Sequence, residues 1–311
     1  MKKKCNILVT GGSGFIGSNL VDLLILEGHS VLVIDDLSTG LKANHNPRVS
    51  YIEKDLCRYI DHPEELMTIL NEFAIDTVYH LAASADVFLS MNNPETVYKI
   101  NVLSSIALAE ACAKTKVKKI VFASTAAVYG EPEYLPVDEK HPVNPISPYG
   151  LSKLAFEQYL KFFSINSNMS ITVFRLPNIY GSRQRPDLEG GVVAIFYELI
   201  KMNSIVTIFG DGKQTRDWVH VEDIISAFVK ALNDTSKFEI LLLGSNNETS
   251  LNKLFDCLAE EIQYDGRPNY TQERSGDIKN MVMDFEKALD LINWKPKISL
   301  RKGISKLTKG I

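Results

Sequence analysis

A doubly wound α/β fold, a mostly parallel sheet covered by helices on both faces, is what this sequence of 311 residues predicts. Three observations carry the prediction. Short β-rich runs alternate with longer amphipathic segments through the first half of the chain, which is the rhythm of βαβ units. The runs NILVT and SVLVID are almost continuously apolar, as strands buried on both faces must be. The first of them passes directly into TGGSGFIGS, a glycine-rich turn placed where a helix should begin.

In chain order, strands are expected at NILVT (6–10), SVLVID (30–35), VSYIEKD (49–55), DTVYHLA (76–82), KKIVFAS (118–124) and SITVFRL (170–176). Between them GFIGSNLVDLLILEG, PEELMTILNEF, NVLSSIALAEACAKT and SPYGLSKLAFEQYLKFFSIN repeat apolar residues at helical spacing. After about Pro177 the rhythm changes. A loop rich in Gly, Arg and Pro leads through a helical segment to IVTIFGDGKQTRDWVHVEDI, and the remainder alternates helix with polar loop. Residues 1–177 are therefore expected to form one domain and 178–311 a smaller substrate-capping α/β portion, with some segments returning to the main sheet. The lysine-rich KPKISLRKGISKLTKG reads as a solvated helix face.

Composition narrows the function. With 45% hydrophobic and 23% charged residues and a formal charge of −4, nothing suggests nucleic acid or an anionic membrane as partner. Lys2, Lys3 and Lys4 look like the start of a signal peptide, but the glycines of CNILVTGGSG soon interrupt any apolar stretch. No apolar run is long enough to span a bilayer. Cys5, Cys57, Cys112 and Cys257 are scattered, so neither a zinc site nor a disulfide framework is indicated, and a reduced cytoplasm is expected.

Gly11, Gly14 and Gly17 fit a G-x-x-G-x-x-G spacing between strand and helix. Glycines there let the backbone approach a pyrophosphate, and the helix N-terminus offers N–H groups and a partial positive charge. The second strand ends in Asp35, followed by Asp36. A carboxylate at this point pairs with ribose hydroxyls and repels a 2′-phosphate, which favours NAD. Asp55, closing the third strand, either reaches the adenine amino group or caps the next helix. Phe15, Ile16 and Leu56 complete the cofactor candidates on this side, and residues 1–177 become a Rossmann-type NAD-binding domain.

Tyr149 and Lys153 stand four apart in SPYGLSK, with Pro148 suited to a first helical turn. That spacing puts phenol and ammonium on one face. A free phenol titrates near ~10, and a nearby ammonium together with a positive nicotinamide ring would lower it. Tyr149 can then take a hydroxyl proton while hydride leaves the same carbon. Ser124 and Thr125, ending the fifth strand, supply hydroxyls to hold that oxygen.

TGGSGFIGS, HLAA, ASTAAVYG, SPYGLSK, RLPNIYG and FGDGKQTRDWVHVEDI together resemble the extended short-chain dehydrogenase/reductase family, and within it the UDP-hexose 4-epimerases. The resemblance runs nearly to the end of the chain. It implies tightly held NAD, with Tyr149 as catalytic base, Lys153 as the ribose-binding lysine, Thr125 as the catalytic hydroxyl and Ser124 as an accessory. It places Asn101, Leu81, Ala82 and Ala83 beside the cofactor. It places Asn178 and Arg216 on the UDP diphosphate, Phe209 beside uracil, and Arg274 and Asp277 at late phosphate and ribose contacts. Val192 and Met281 fall among its substrate contacts, Met281 where residue size bears on N-acetyl sugars. A lysine that some epimerases carry near the sugar is Ala85 here. The resemblance further implies a homodimer paired through helices near 100–114 and 149–163. His80, His220 and Trp218 are expected to be structural.

Related dehydratases follow their Thr with an Asp–Glu pair, and UDP-glucuronate decarboxylases usually keep the Glu. Elimination of water needs an added acid and base, which Ala126 and Ala127 cannot provide. UDP-glucose/UDP-galactose 4-epimerisation is thus the expectation. UDP-N-acetylhexosamine and UDP-glucuronate epimerases stay open beside it, followed by decarboxylase, reductase and a non-catalytic sensor.

Overall fold

The computed structural model describes residues 4–188, 191–273 and 278–310. Its strands are β1 (Asn6–Thr10), β2 (Ser30–Asp35), β3 (Ser50–Glu53), β4 (Thr77–His80), β5 (Lys119–Thr125), β6 (Ser170–Leu176), β7 (Asn178–Tyr180), β8 (Thr207–Phe209), β9 (Thr215–His220), β10 (Phe238–Leu242), β11 (Glu248–Ser250) and β12 (Asn269–Thr271). Seven of them form the main sheet in the order β10-β6-β5-β4-β1-β2-β3. Every neighbouring pair in it is parallel.

The apolar runs explain this sheet. Ile7 and Val9 of β1 point into one buried cluster with Val33, Val121 and Phe174, whereas Leu8 points into another with Leu32, Ile34, Val78 and Ile171. Successive side chains of a strand face opposite ways, so a strand with a core on each side needs apolar residues at every position. Helices Phe15–Leu26 and Val221–Ala231 cover the first face through Leu20, Leu24, Ile224 and Phe228. Pro63–Glu72, Ser104–Ala113 and Pro148–Asn166 cover the second through Leu66, Leu108, Phe156 and Leu160.

Three strands match their expected spans residue by residue, namely β1, β2 and β6. The third strand is shorter than expected because the backbone turns at Asp55, whose carboxylate accepts from the Cys57 N–H at 2.8 Å. The helix expected from Asn101 begins at Ser104, after a π-helical turn over Lys99–Leu103.

Beyond Pro177 the chain builds a three-stranded sheet β11-β9-β7 and the parallel pair β12-β8 around a third cluster containing Tyr180, Phe196, Trp218 and Leu254. It also returns to the main sheet, where β10 lies parallel to β6. The C-terminal stretch is tied down by Asp223, whose carboxylate accepts from the Lys297 and Ile298 N–H groups at 3.0 and 2.9 Å. The final helix, Leu300–Lys309, is exposed at Arg301 and Lys302 but buries Gly303 and Ile304. A Cβ at Gly303 would lie 2.0 Å from the Tyr180 hydroxyl, so this helix packs on β7 more closely than a solvated face requires.

Candidate active site

All seven strands of the main sheet run the same way, so their C-terminal ends share one edge. The strand order reverses between β1 and β4, and such a reversal opens a crevice above the sheet. The turn after β1 and residues Leu81, Ala82 and Ala83 after β4 meet there. A Cβ on Gly11 would lie 2.7 Å from the Ala82 nitrogen, and Gly11 has φ +72°. A Cβ on Gly17 would lie 2.1 Å from the Gly11 oxygen, whereas one on Gly14 would meet only that oxygen at 3.4 Å. The turn is closed on its inner side and open at Gly14. Gly14 is also the N-cap of the Phe15–Leu26 helix and provides no side-chain cap, so the first helical N–H groups are left to an anionic ligand. This geometry fits a dinucleotide pyrophosphate.

Asp35 sits at the same edge and accepts from the Ser13 and Leu37 N–H groups at 2.9 and 2.8 Å. Its carboxylate is thereby aimed beside the glycine turn, with lone pairs remaining for a ribose. Asp36 is exposed and turns to Ser38. Phe15 and Ile16 pack partly on the first core, and Leu56 is buried in the second. Asn101, in the π turn, is buried. It accepts from Ser84 N–H at 2.8 Å and donates to the Ser84 carbonyl and the Ser152 hydroxyl at 2.9 and 3.0 Å. It thus fixes the β4 loop to the helix that carries Tyr149.

That helix starts with Ser147 as N-cap, accepting from Gly150 N–H at 3.1 Å, and Pro148 in its first turn. It brings Tyr149 beside Thr125, whose hydroxyl favours the ionised phenol. Thr125 also accepts from Ala127 N–H at 3.1 Å. Lys153 is buried, donates to the Ala123 carbonyl at 3.0 Å and lies 4.8 Å from the centre of the Phe122 ring. Thr125, Ala126, Ala127 and Tyr149 keep part of their surface open, while Ser124 is buried.

The expected lowering of Tyr149 draws on the ammonium and the nicotinamide charge together, and on balance the protein's own groups act in the other direction. Burial pushes the phenol up, and the neighbouring Thr125 hydroxyl opposes this. Burial also pulls Lys153 down to about 7, with Glu157 acting against the shift. In the protein alone, desolvation is the largest influence on both groups.

Beyond Pro177, Asn178 begins β7, Val192 opens helix Val192–Lys201, Phe209 ends β8 and Arg216 lies in β9, all partly exposed. Arg216 Nη1 donates to the Thr215 carbonyl at 2.8 Å. Arg274 and Asp277 lie outside the described residues. Met281 is buried in a cluster with Val128, Tyr129 and Met283, against which Ala126 packs. His80 bridges Thr10 and Ser105 at 2.8 Å each, and burial lowers it to about 3. His220 caps a helix by accepting from Glu222 N–H at 3.3 Å.

Two groups beside the site were passed over in the sequence. Glu157 follows Lys153 by four residues on the same helix, and Arg175 interrupts the apolar strand SITVFRL. They pair through Nε–Oε1 and Nη2–Oε2 contacts of 3.1 and 2.6 Å. The signal for both was a charge at a position whose periodicity faces the core.

The model described as the NAD dependent epimerase/dehydratase family matches residues 7–244. A Methanocaldococcus jannaschii protein, provisionally named UDP-glucose 4-epimerase, is 43% identical over 302 residues, covering 97% of this chain and 96% of its own. The crystal structure of UDP-glucose 4-epimerase with UDP-glucose from Thermotoga maritima matches with a TM-score of 0.93 at 39% identity, covering 97% of each chain. The UDP-N-acetylglucosamine 4-epimerase from Methanobrevibacter ruminantium, in complex with UDP-N-acetylmuramic acid, matches with a TM-score of 0.91 at 32% identity, covering 99% of this chain and 100% of that one.

Proposed function

The chain belongs to the NAD-dependent epimerase/dehydratase family, and we propose that it interconverts UDP-glucose and UDP-galactose by epimerisation at C4. The observation that supports this reading is that one helix sets Tyr149 beside Thr125 and Lys153 on the Ala123 carbonyl at the end of β5, with alanines at 126 and 127. NAD, when bound, supplies a hydride acceptor that returns the hydride within the same turnover.

In this reading Tyr149 takes the proton of the sugar 4-hydroxyl and later gives it back, while Thr125 holds the same oxygen. Lys153 provides the positive charge that favours phenolate and a donor for the nicotinamide ribose. Gly11, Gly14, Gly17, Asp35 and the β4 loop hold the dinucleotide. Asn178 and Arg216 bind the UDP diphosphate and Phe209 packs on uracil; Arg274, Asp277 and Val192 complete that side. Ala126 and Ala127, which follow Thr125, cannot assist loss of water from the 4-keto sugar, which turns over and is reduced on its other face. The division into an NAD-binding part, 1–177, and a mainly UDP-sugar-binding part, 178–311, belongs to the same reading.

A UDP-N-acetylhexosamine substrate is the second reading. It is favoured by Met281, whose flexible side chain lies in one cluster with Ala126 and can yield room to an added group. UDP-glucuronate is the third.

The protein is further read as a cytoplasmic homodimer. Leu103, Leu151, Tyr159, Phe162 and Ile165 are all exposed, and they lie on or beside the two helices expected to pair. Its four cysteines are free thiols, which suits a reducing compartment. Among the described residues no helix is long and apolar enough to cross a membrane.

Purified protein, without added NAD, is incubated separately with UDP-glucose, UDP-N-acetylglucosamine and UDP-glucuronate, and the sugars are resolved by chromatography. Formation of UDP-galactose supports the reading with retained cofactor. Conversion of another substrate alone moves the assignment to that sugar, and no conversion after NAD is supplied refutes epimerisation.

A further inference from the structure

The helix that carries Tyr149 grips the end of β5 at three successive residues. Tyr149 lies beside Thr125, Lys153 donates to the Ala123 carbonyl at 3.0 Å, and Glu157 accepts the proton of the Ser124 hydroxyl. Glu157 has no exposed surface. A carboxylate so buried is retained only where partners compensate its lost hydration, and here the compensation is the two-pronged contact with Arg175. Arg175 is itself held by Tyr129, whose hydroxyl accepts from Nη1 at 2.9 Å. Ser124, expected to be an accessory hydroxyl for the substrate, is buried with its proton committed to Glu157.

We infer that Glu157 is a positioning residue of this site: pinned by Arg175 and bonded to Ser124, it fixes the strand end that bears Thr125 against the helix that bears Tyr149 and Lys153. The inference rests on the reading that Tyr149, Lys153 and Thr125 carry the chemistry. Burial drives Lys153 toward its neutral form, and the Glu157 carboxylate opposes it. Among the described residues no other facing group does the same. His80 on β4 is held neutral by burial, Arg175 on β6 is a cation, and Tyr129 after β5 and Tyr149 on the helix are phenols pushed up by burial.

The test follows the titration of Lys153 in the whole protein as purified, with lysine 13C-labelled at Cε and the resonance assigned by its loss in Lys153→Met. Glu157→Gln keeps an acceptor for Ser124 but removes the charge. The Lys153 midpoint is expected to fall by about one pH unit, and the alkaline limb of kcat to move down with it. Glu157→Gln leaves Arg175 as a buried unpaired cation that itself disfavours the ammonium, so Glu157→Gln combined with Arg175→Met is measured beside it and is expected to show a smaller fall in the same direction. Ser124→Ala, which leaves the ion pair intact, should keep the midpoint and lower kcat by about tenfold with KM little changed. An unmoved midpoint in a folded charge-removing variant overturns the inference. A double variant that no longer folds overturns it as well, by making the pair structural. The resonance needs no turnover: if the wild type converts no UDP-sugar, the functional reading fails while the titration still decides the role of Glu157.

Discussion

At Tyr149 the protein alone does not hold a ready base, because burial raises the phenol and Lys153 is turned to the Ala123 carbonyl and the Phe122 ring. The proposed proton transfer therefore depends on charge arriving with the cofactor. Tyr149→Phe should lower kcat by ~10²–10⁴, the usual worth of a positioned acid–base group, while NAD stays bound, as read by the absorbance of the purified variant. An active variant would remove Tyr149 from the chemistry. Gly17 makes a second prediction at this scale. Its absent Cβ would lie 2.1 Å from the Gly11 oxygen, so Gly17→Ala must displace the turn, and the purified variant should lose its NAD. Retention of NAD with wild-type stoichiometry would contradict this.

The secondary structure was legible where the chain is most regular. β1, β2 and β6 are apolar runs flanked by polar or turn-forming residues, and their ends follow from composition alone. The π turn at Lys99–Leu103 was not, since what stabilises it is the bond set of Asn101 to Ser84 and Ser152, distant in sequence. The three-residue strands β7, β8, β11 and β12 are too short to show a period. Of the site, the glycine turn and the Tyr149–Lys153 pair could be read from spacing, whereas Glu157 and Arg175 show in the sequence only as charges at core-facing positions, with nothing there to say that they pair. Asp217 in β9 escaped notice for the same reason. Its carboxylate accepts from Ser245 N–H and from Met283 N–H at 3.1 Å, binding three segments together. Burial nevertheless raises it to about 6 from an ordinary 3.8. Between those values the folded protein binds more protons than the unfolded chain, so this residue's contribution to stability falls as pH rises, by at most about 3 kcal/mol. Asp217→Asn lacks that dependence. Its melting temperature relative to wild type should therefore climb between pH 4 and pH 7 in thermal scans, and a constant difference would refute the assignment.

For the whole molecule, the exposed apolar residues of the Pro148–Asn166 helix make the assembly testable. Leu151 and Phe162 are 58% and 57% exposed, so introducing charge there harms a free surface little but an apolar contact severely. Leu151→Glu with Phe162→Glu should convert a dimer to a folded monomer in sedimentation velocity. A wild type that sediments as a monomer would end the dimer proposal.

The return of β10 to the main sheet bears on how such a protein can be recombined. Residues after 177 supply the edge strand beside β6 and the Val221–Ala231 helix that closes one face of the nucleotide-binding layer. A single crossover at 177 would graft a foreign strand and a foreign helix onto the first half along with any new specificity. Exchange of sugar preference between relatives is therefore better made in pieces that skip 221–242, leaving the shared scaffold with its original partners.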